Sequence, residues 1–236
     1  MTTLPIILNA RTHHKATLIF LHGIGPRFKY QGFKYENEKW PGILDKICPD
    51  YMKIICPIAP SKPVKMYNSI IMPAWYNVND TKENNCITYK EDLNDVENST
   101  KILQNIVKME SKTLLNYGGH SRIIIGGFSQ GGAIAINALL QSKQKFAGCV
   151  NLSGYLIENI VSEIPEIETP IFHTHGENDI QGVGPLNIEK VRKTSKVFKE
   201  NAMCYEFHNI PNMGHEINED VLELLNVFIK KHLQNT

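Results

Sequence analysis

The stretch Arg122-Ile123-Ile124-Ile125-Gly126-Gly127-Phe128-Ser129-Gln130-Gly131-Gly132-Ala133-Ile134 decides how this chain folds. It opens with a short β-branched run, the pattern of a strand buried on both faces. It ends in small and apolar residues that continue to Leu140 as a helix. Between the two, Gly127-Phe128-Ser129-Gln130-Gly131 must reverse the backbone from strand to helix within a few residues. A reversal that sharp forces Ser129 into a strained conformation. Glycine is needed two positions to either side, because a Cβ there would collide with the neighbouring strand and helix. This pattern is a nucleophile elbow, which exposes the Ser129 hydroxyl at the carboxyl edge of a sheet. The helix N-terminus also aims the free N–H of Gln130, and the positive end of the helix dipole, at any negative oxygen forming beside Ser129.

Working outward, short β-branched or apolar runs at 16–21, 52–57, 146–152, 170–175 and 203–208 read as further buried strands. Helical periodicity marks 91–115, 188–199 and 219–233. The last helix has Asn218 as a candidate N-cap, Glu219 and Asp220 in its first turn, and Lys230 and Lys231 in its last. Strands alternating with helices predict an α/β fold, a mostly parallel central sheet with helices on both faces, built as one domain over 1–236. The stretch 58–88 carries prolines and no clear period, and reads as a long irregular segment of the functional kind.

Composition excludes several classes. Twenty-five Lys and Arg against twenty-four Asp and Glu leave a net charge of +1, so no basic field exists to hold a nucleic acid backbone. Fully apolar runs reach only five or six residues, too short to span a bilayer. The start Met1-Thr2-Thr3-Leu4-Pro5 shows neither a signal peptide nor a myristoylation site. Five cysteines (Cys48, Cys56, Cys86, Cys149, Cys204), widely spaced and without a CxxC pair, point to reduced thiols in the cytoplasm and to no zinc site.

A nucleophilic serine needs a base and an orienting acid, which in this fold class follow it in the order acid, then histidine. His215, in Asn212-Met213-Gly214-His215, falls in the loop between the last strand and the last helix, where a base belongs. His208 is the alternative, but it shares a strand face with Cys204 and Glu206, as a packed or edge histidine would. The acid comes from His175-Gly176-Glu177-Asn178-Asp179. Asp179 is favoured because the loop after Gly176 lets a short carboxylate turn back to the imidazole, with Glu177 the alternative and His175 a structural residue. A second oxyanion donor comes in such folds from the loop after the third strand. That strand here ends Phe20-Leu21-His22-Gly23-Ile24-Gly25, which makes the N–H of Ile24 the candidate. Ile70, Ile71, Met72 and Trp75, four large apolar residues within the irregular segment, are candidates to line an acyl groove, with ordinary packing as the alternative.

With these residues in place, the chain resembles the acyl-protein thioesterase and lysophospholipase-like carboxylesterase family of α/β-hydrolases. The resemblance runs from about Thr17 to the C-terminus. It rests on the elbow, on Pro57-Ile58-Ala59-Pro60, on Pro63-Val64 and Met72-Pro73-Ala74-Trp75-Tyr76, and on His175-Gly176-Glu177-Asn178-Asp179 and Gly214-His215. It implies a catalytic serine, aspartate and histidine at Ser129, Asp179 and His215, and oxyanion amides at Ile24 and Gln130. It also implies S-acylated proteins as substrate, with no cofactor. The chain departs from the family pattern at Pro26-Arg27-Phe28-Lys29-Tyr30, where an acidic residue is usual after Gly25. It departs again at Ile180-Gln181-Gly182-Val183-Gly184-Pro185, where the family closes quickly with Val-Pro, and at Asn77, where an aspartate is common.

The expected activity is therefore hydrolysis of acyl thioesters or esters. Small acyl esters or lysophospholipids are the alternative substrates. A catalytically silent fold that binds an acyl chain or a partner protein is the alternative of another class, and the complete Ser, Asp and His set argues against it. Such substrates leave room for transient contact with a membrane surface; the sequence sets neither acyl-chain length nor oligomeric state.

Overall fold

A computed structural model describes residues 4–25, 40–83, 86–158, 163–179 and 188–233. In chain order the strands are β1 (Ile6–Leu8), β2 (Ala16–Leu21), β3 (Met52–Cys56), β4 (Ser61–Val64), β5 (Ile70–Pro73), β6 (Val78–Glu83), β7 (Cys86–Glu91), β8 (Ile123–Phe128), β9 (Gly148–Leu152), β10 (Ile171–Gly176) and β11 (Tyr205–Ile210). The helices are α1 (Trp40–Asp45), α2 (Leu93–Thr113), α3 (Gln130–Leu140), α4 (Ile188–Asn201) and α5 (Glu219–Leu233).

Among the described residues, seven strands form the main sheet in the order β1-β3-β2-β8-β9-β10-β11, with β1 antiparallel to β3 and the other neighbours parallel. The sheet is covered on both faces, which is why its strands read as nearly continuous apolar runs. Successive residues of β2 divide between two cores. Ile19 and Leu21 join Leu103 of α2, Ile134 of α3 and Phe198 of α4, while Leu18 and Phe20 join Leu44 of α1 and Leu225 and Phe228 of α5. The helix termini follow local chemistry: Asp92 caps α2 by accepting from the N–H groups of Asn94 and Asp95, and Asn218 Oδ1 accepts from Val221 N–H at 3.0 Å to start α5.

The expected parallel α/β core is present, with the helices 130–140 and 219–233 at the predicted bounds. The segment 58–88 corrects the expectation of an irregular stretch. It holds two antiparallel hairpins, β4–β5 and β6–β7. The turn between β4 and β5 is made by a single 3-10 turn and by Asn68 and Ser69, at φ 52° and 59°. β5 buries its last two residues and exposes its first two, so the period of two that marks a strand is missing from its sequence. β1 and α1, of three and six residues, are too short to show a period in the sequence. The stretches 26–30 and 180–185, where the sequence departs from the family pattern, lie outside the described residues.

One buried group sets an acid limit on this core. His173, on β10, is fully buried, its Nδ1 2.9 Å from Tyr205 Oη and its ring edge-on to Phe207. Burial, with the neighbouring His175, pushes its pKa down to about 3. A histidine with a depressed folded-state pKa binds fewer protons folded than unfolded. Its stabilising contribution is therefore complete above the unfolded value near 6.5 and is lost as pH falls from there toward 3. Urea unfolding at pH 7.5 and pH 5.0 should show wild type losing about 2 kcal/mol more than His173→Gln over that interval. Equal losses in the two proteins would mean that His173 is not held neutral by the fold.

Candidate active site

At the end of β8 the chain turns into α3 at Ser129, whose backbone sits at φ 55°, ψ −119°. The conformation is held from both sides. Ser129 N–H donates to Leu152 O of β9 at 2.8 Å, and Ser129 O accepts from Ala133 N–H at 3.1 Å. Glycine is obligatory at the flanks: a Cβ on Gly127 would lie 2.4 Å from Gly131 C, and one on Gly131 would lie 2.2 Å from Leu21 O. Side chains there would force α3 away from β2 and β8, and the sharp turn would open.

The hydroxyl so presented meets a chain of hydrogen bonds. Ser129 Oγ is 2.9 Å from His215 Nε2, and His215 Nδ1 is 2.8 Å from Asp179 Oδ2. The Asp179 side chain is 4% exposed and that of His215 31%, so the carboxylate is enclosed while the imidazole keeps one edge toward the opening. Phe128 packs on the imidazole face with ring centroids 4.7 Å apart.

Two loops at the carboxyl edge of the sheet make this alignment. The acid loop after β10 is bonded to the histidine loop after β11, through Glu177 N–H to Ile210 O and Asn178 N–H to Met213 O, both at 2.9 Å. The two backbones approach so closely that a Cβ on Gly176 would stand 2.3 Å from Met213 O and 2.5 Å from Gly214 O. Asn212, at φ 57°, supplies the left-handed turn that swings the chain toward His215.

Each residue singled out by sequence has a definite place. Asp179 faces His215, whereas Glu177 is exposed. His208 lies on β11 against Phe172 and beside Glu206, remote from this hydrogen-bond chain. His175 is buried, its Nε2 3.7 Å from Asp179 Oδ2. Burial lowers its pKa, with Asp179 acting in the opposite direction.

The strand leading to Ile24 is the second along the chain, not the third. Its loop passes close to the serine, since a Cβ on Gly23 would be 3.4 Å from Ser129 Cβ. Gly25 N–H donates to Pro73 O at 3.2 Å. Among the described residues, no hydrogen bond takes the N–H of Ile24 or of Gln130. The Gln130 side chain is fixed, Oε1 accepting from Trp75 N–H and Nε2 donating to Tyr76 O.

Two bracing residues follow from the structure rather than from motif reading. His22 Nε2 accepts from Ala59 N–H at 3.0 Å, which leaves the Nδ1 proton to donate to Gly23 O at 2.6 Å. Trp75 Nε1 donates to His22 O at 2.7 Å. Trp75 is fully buried in the main core, so it supports the Gly23–Ile24 turn from behind and does not line an open groove. Met72 is likewise buried, with Val64 and Ala74, and Ile24 packs against that cluster. Ile70 and Ile71, at the start of β5, are exposed, Ile71 by 71%. The signal for His22 was its place directly after a strand and before Gly23; its role needed the position of Ala59, 37 residues on.

The chain is similar to known proteins along almost its whole length. A family model described as phospholipase/carboxylesterase matches residues 2–233. The chain is similar to acyl-protein thioesterase 1 of Neurospora crassa, at 31% identity over 97% of this chain and 91% of that protein. It is also similar to acyl-protein thioesterase 1 of Saccharomyces cerevisiae, at 31% identity over 94% of each, and to lysophospholipase-like protein 1 of Mus musculus, at 28% over 96% of this chain and 91% of the other. Among solved structures, acyl-protein thioesterase 2 of Zea mays superposes with a TM-score of 0.70 at 21% identity, covering 97% of this chain and 98% of that one.

The packing of the acid loop on the histidine loop can be tested without touching either titrating group. Gly176→Ala should push Asp179 and His215 out of line and lower kcat by about 100-fold, the scale of a displacement near 1 Å at a reacting centre. Steady-state kinetics on a protein whose circular dichroism is unchanged checks this. A wild-type kcat would show that the loops tolerate separation.

Proposed function

Because the chain belongs to the phospholipase/carboxylesterase family of α/β-hydrolases, whose members hydrolyse acyl esters, we propose that it removes fatty acyl groups from S-acylated protein cysteines with Ser129, His215 and Asp179 as its catalytic residues. The observation that carries the residue roles is the chain of hydrogen bonds from Ser129 Oγ through His215 to the enclosed Asp179 carboxylate. The substrate class is supported by the acyl-protein thioesterases to which the chain is similar over more than nine-tenths of its length.

In this reading Ser129 Oγ attacks the thioester carbonyl while His215 Nε2 takes its proton. Asp179 holds the imidazole in the tautomer with hydrogen on Nδ1 and stabilises the imidazolium. Negative charge grows on the carbonyl oxygen, and the N–H groups of Ile24 and Gln130, backed by the dipole of α3, receive it. Collapse of the tetrahedral intermediate expels the cysteine thiol, protonated by His215, and leaves an acyl-Ser129 ester. Water, deprotonated by His215, then hydrolyses this ester by the same sequence. All the proton transfers are supplied by side chains of this protein.

Oxygen esters, including lysophospholipids, are the second reading, favoured by the lysophospholipase-like relative and by a catalytic centre that treats both bonds alike. Acyl recognition falls to the β4–β5 hairpin, where Ile70 and Ile71 stay exposed next to the cluster on which Ile24 rests.

Hydrolysis of an acyl series from acetyl to palmitoyl, presented as ester and as thioester, tests this reading. Asp179→Asn should reduce kcat by on the order of 10⁴, while Glu177→Gln leaves it nearly unchanged; the reverse pattern would move the acid to Glu177. Ile71→Ser should lower kcat/KM for octanoyl and longer chains about tenfold and for acetyl less than twofold, since each buried CH₂ is worth up to ~0.8 kcal/mol. Ile71 is exposed, so the substitution leaves the core intact, and a uniform loss across chain lengths would place the acyl chain elsewhere.

A further inference from the structure

The sheet has a second group of chemically active side chains at the end away from Ser129. Cys204, just before β11, and Glu206 and His208 on β11 are spaced by two, which puts all three side chains on one face of an edge strand. The last turn of α5 lies across that face and adds His232. A thiol sulfur of Cys204, a carboxylate oxygen of Glu206 and a ring nitrogen of His232 all lie within 4.8 Å of one another. His232 Nε2 and His208 Nε2 are both buried with no hydrogen-bond partner among the described residues, and His208 Nε2 is 3.9 Å from Glu206 Oε2. A buried imidazole nitrogen without a partner, as on His232, is costly unless something binds it.

From this cluster we infer that Cys204, Glu206 and His232 form a Zn²⁺ site that clasps the end of α5 to β11. A thiolate, an imidazole and a carboxylate are the borderline-soft donor set that prefers zinc over magnesium or calcium. Donors around a tetrahedral zinc stand roughly 3.3–3.8 Å apart, so each must close by on the order of 1 Å, a matter of side-chain rotation. Binding forms Zn–S, Zn–N and Zn–O bonds, releases the Cys204 thiol proton to solvent, and leaves the fourth position to water. It also displaces Lys231, whose Nζ bonds Glu206 Oε1 at 2.6 Å and whose side chain is half exposed, free to turn into water. Among Cys48, Cys56, Cys149 and Cys204, the cysteines whose side chains are described, Cys204 is the one that is not buried. Cys48, Cys56 and Cys149 are buried, and burial raises each of their pKa values to about 12.

The site is separate from catalysis. Arg122 Nη1 and Tyr51 Oη donate to Leu233 O, which fixes the end of α5 at the amino edge of the sheet, before β8. Ser129 stands at the carboxyl edge, about one six-residue strand, or roughly 20 Å, away. The expected spacing signals for zinc are absent because the donors come from positions 204, 206 and 232 and are joined only by the packing of α5 on β11.

The test uses the full chain, stripped of metal, with Co²⁺ and Zn²⁺ as probes. One equivalent of Co²⁺ should produce a thiolate-to-cobalt charge-transfer band, absent in Cys204→Ser and weakened at least tenfold in affinity in His232→Ala. Zinc at about a hundredfold over its Kd should raise the Tm of wild type by roughly 5–10 °C and that of Cys204→Ser by little. Retained esterase turnover in both variants shows that they are folded. No band in wild type, a band that survives Cys204→Ser, or an equal Tm response in the variants would overturn the site.

Discussion

Ser129 is held at φ 55°, ψ −119°, a backbone conformation that costs a non-glycine residue on the order of 1–3 kcal/mol. The cost is met by packing that exists only because positions 127 and 131 carry no side chain. α3 lies against β8 and β2 at a distance where a single added Cβ on Gly131 would overlap Leu21 O. This contact makes the rest of the architecture necessary. β2 and β8 must be neighbours in a parallel sheet, α3 must start without a spacer, and the end of β2 must pass beside the serine.

From that contact the site grows by backbone hydrogen bonds. The end of β2 becomes the Gly23–Ile24 turn, braced by His22 and by the Trp75 indole, and the Gln130 side chain ties the start of α3 to the Trp75–Tyr76 backbone. On the other side, the loops after β10 and β11 are bonded to each other before they are bonded to the serine. Asp179 and His215 are therefore positioned as a pair, and their alignment with Ser129 depends on the register of β9, β10 and β11. The chain belongs to the phospholipase/carboxylesterase family.

Most of this was legible in the sequence because its determinants are local. The elbow is a five-residue pattern with a strand before it and a helix after it, and the loops bearing Asp179 and His215 sit directly after recognisable strands. The segment 58–88 was misread because its strands are short hairpins with no clean alternation; Ile70 and Ile71 are exposed together while Met72 and Pro73 are buried together. Trp75 was expected at a ligand surface because a large aromatic in an apparent loop is costly to leave in water. Only the position of His22 O shows that the indole N–H is used to brace the Gly23–Ile24 turn. The sequence places Cys204 and Glu206 on one strand face but not His232 beside them, since nothing in the spacing of 204, 206 and 232 says that α5 ends over β11.

In the proposed mechanism Ser129 is made nucleophilic by His215 within this aligned chain. The most direct measurement is reaction of the purified protein with a fluorophosphonate, followed by intact-mass and peptide mapping. One adduct per chain is expected, on Ser129, formed at a rate that falls by orders of magnitude in His215→Ala and hardly changes in His208→Ala. An adduct on another residue, no adduct at all, or a rate indifferent to His215 would contradict it.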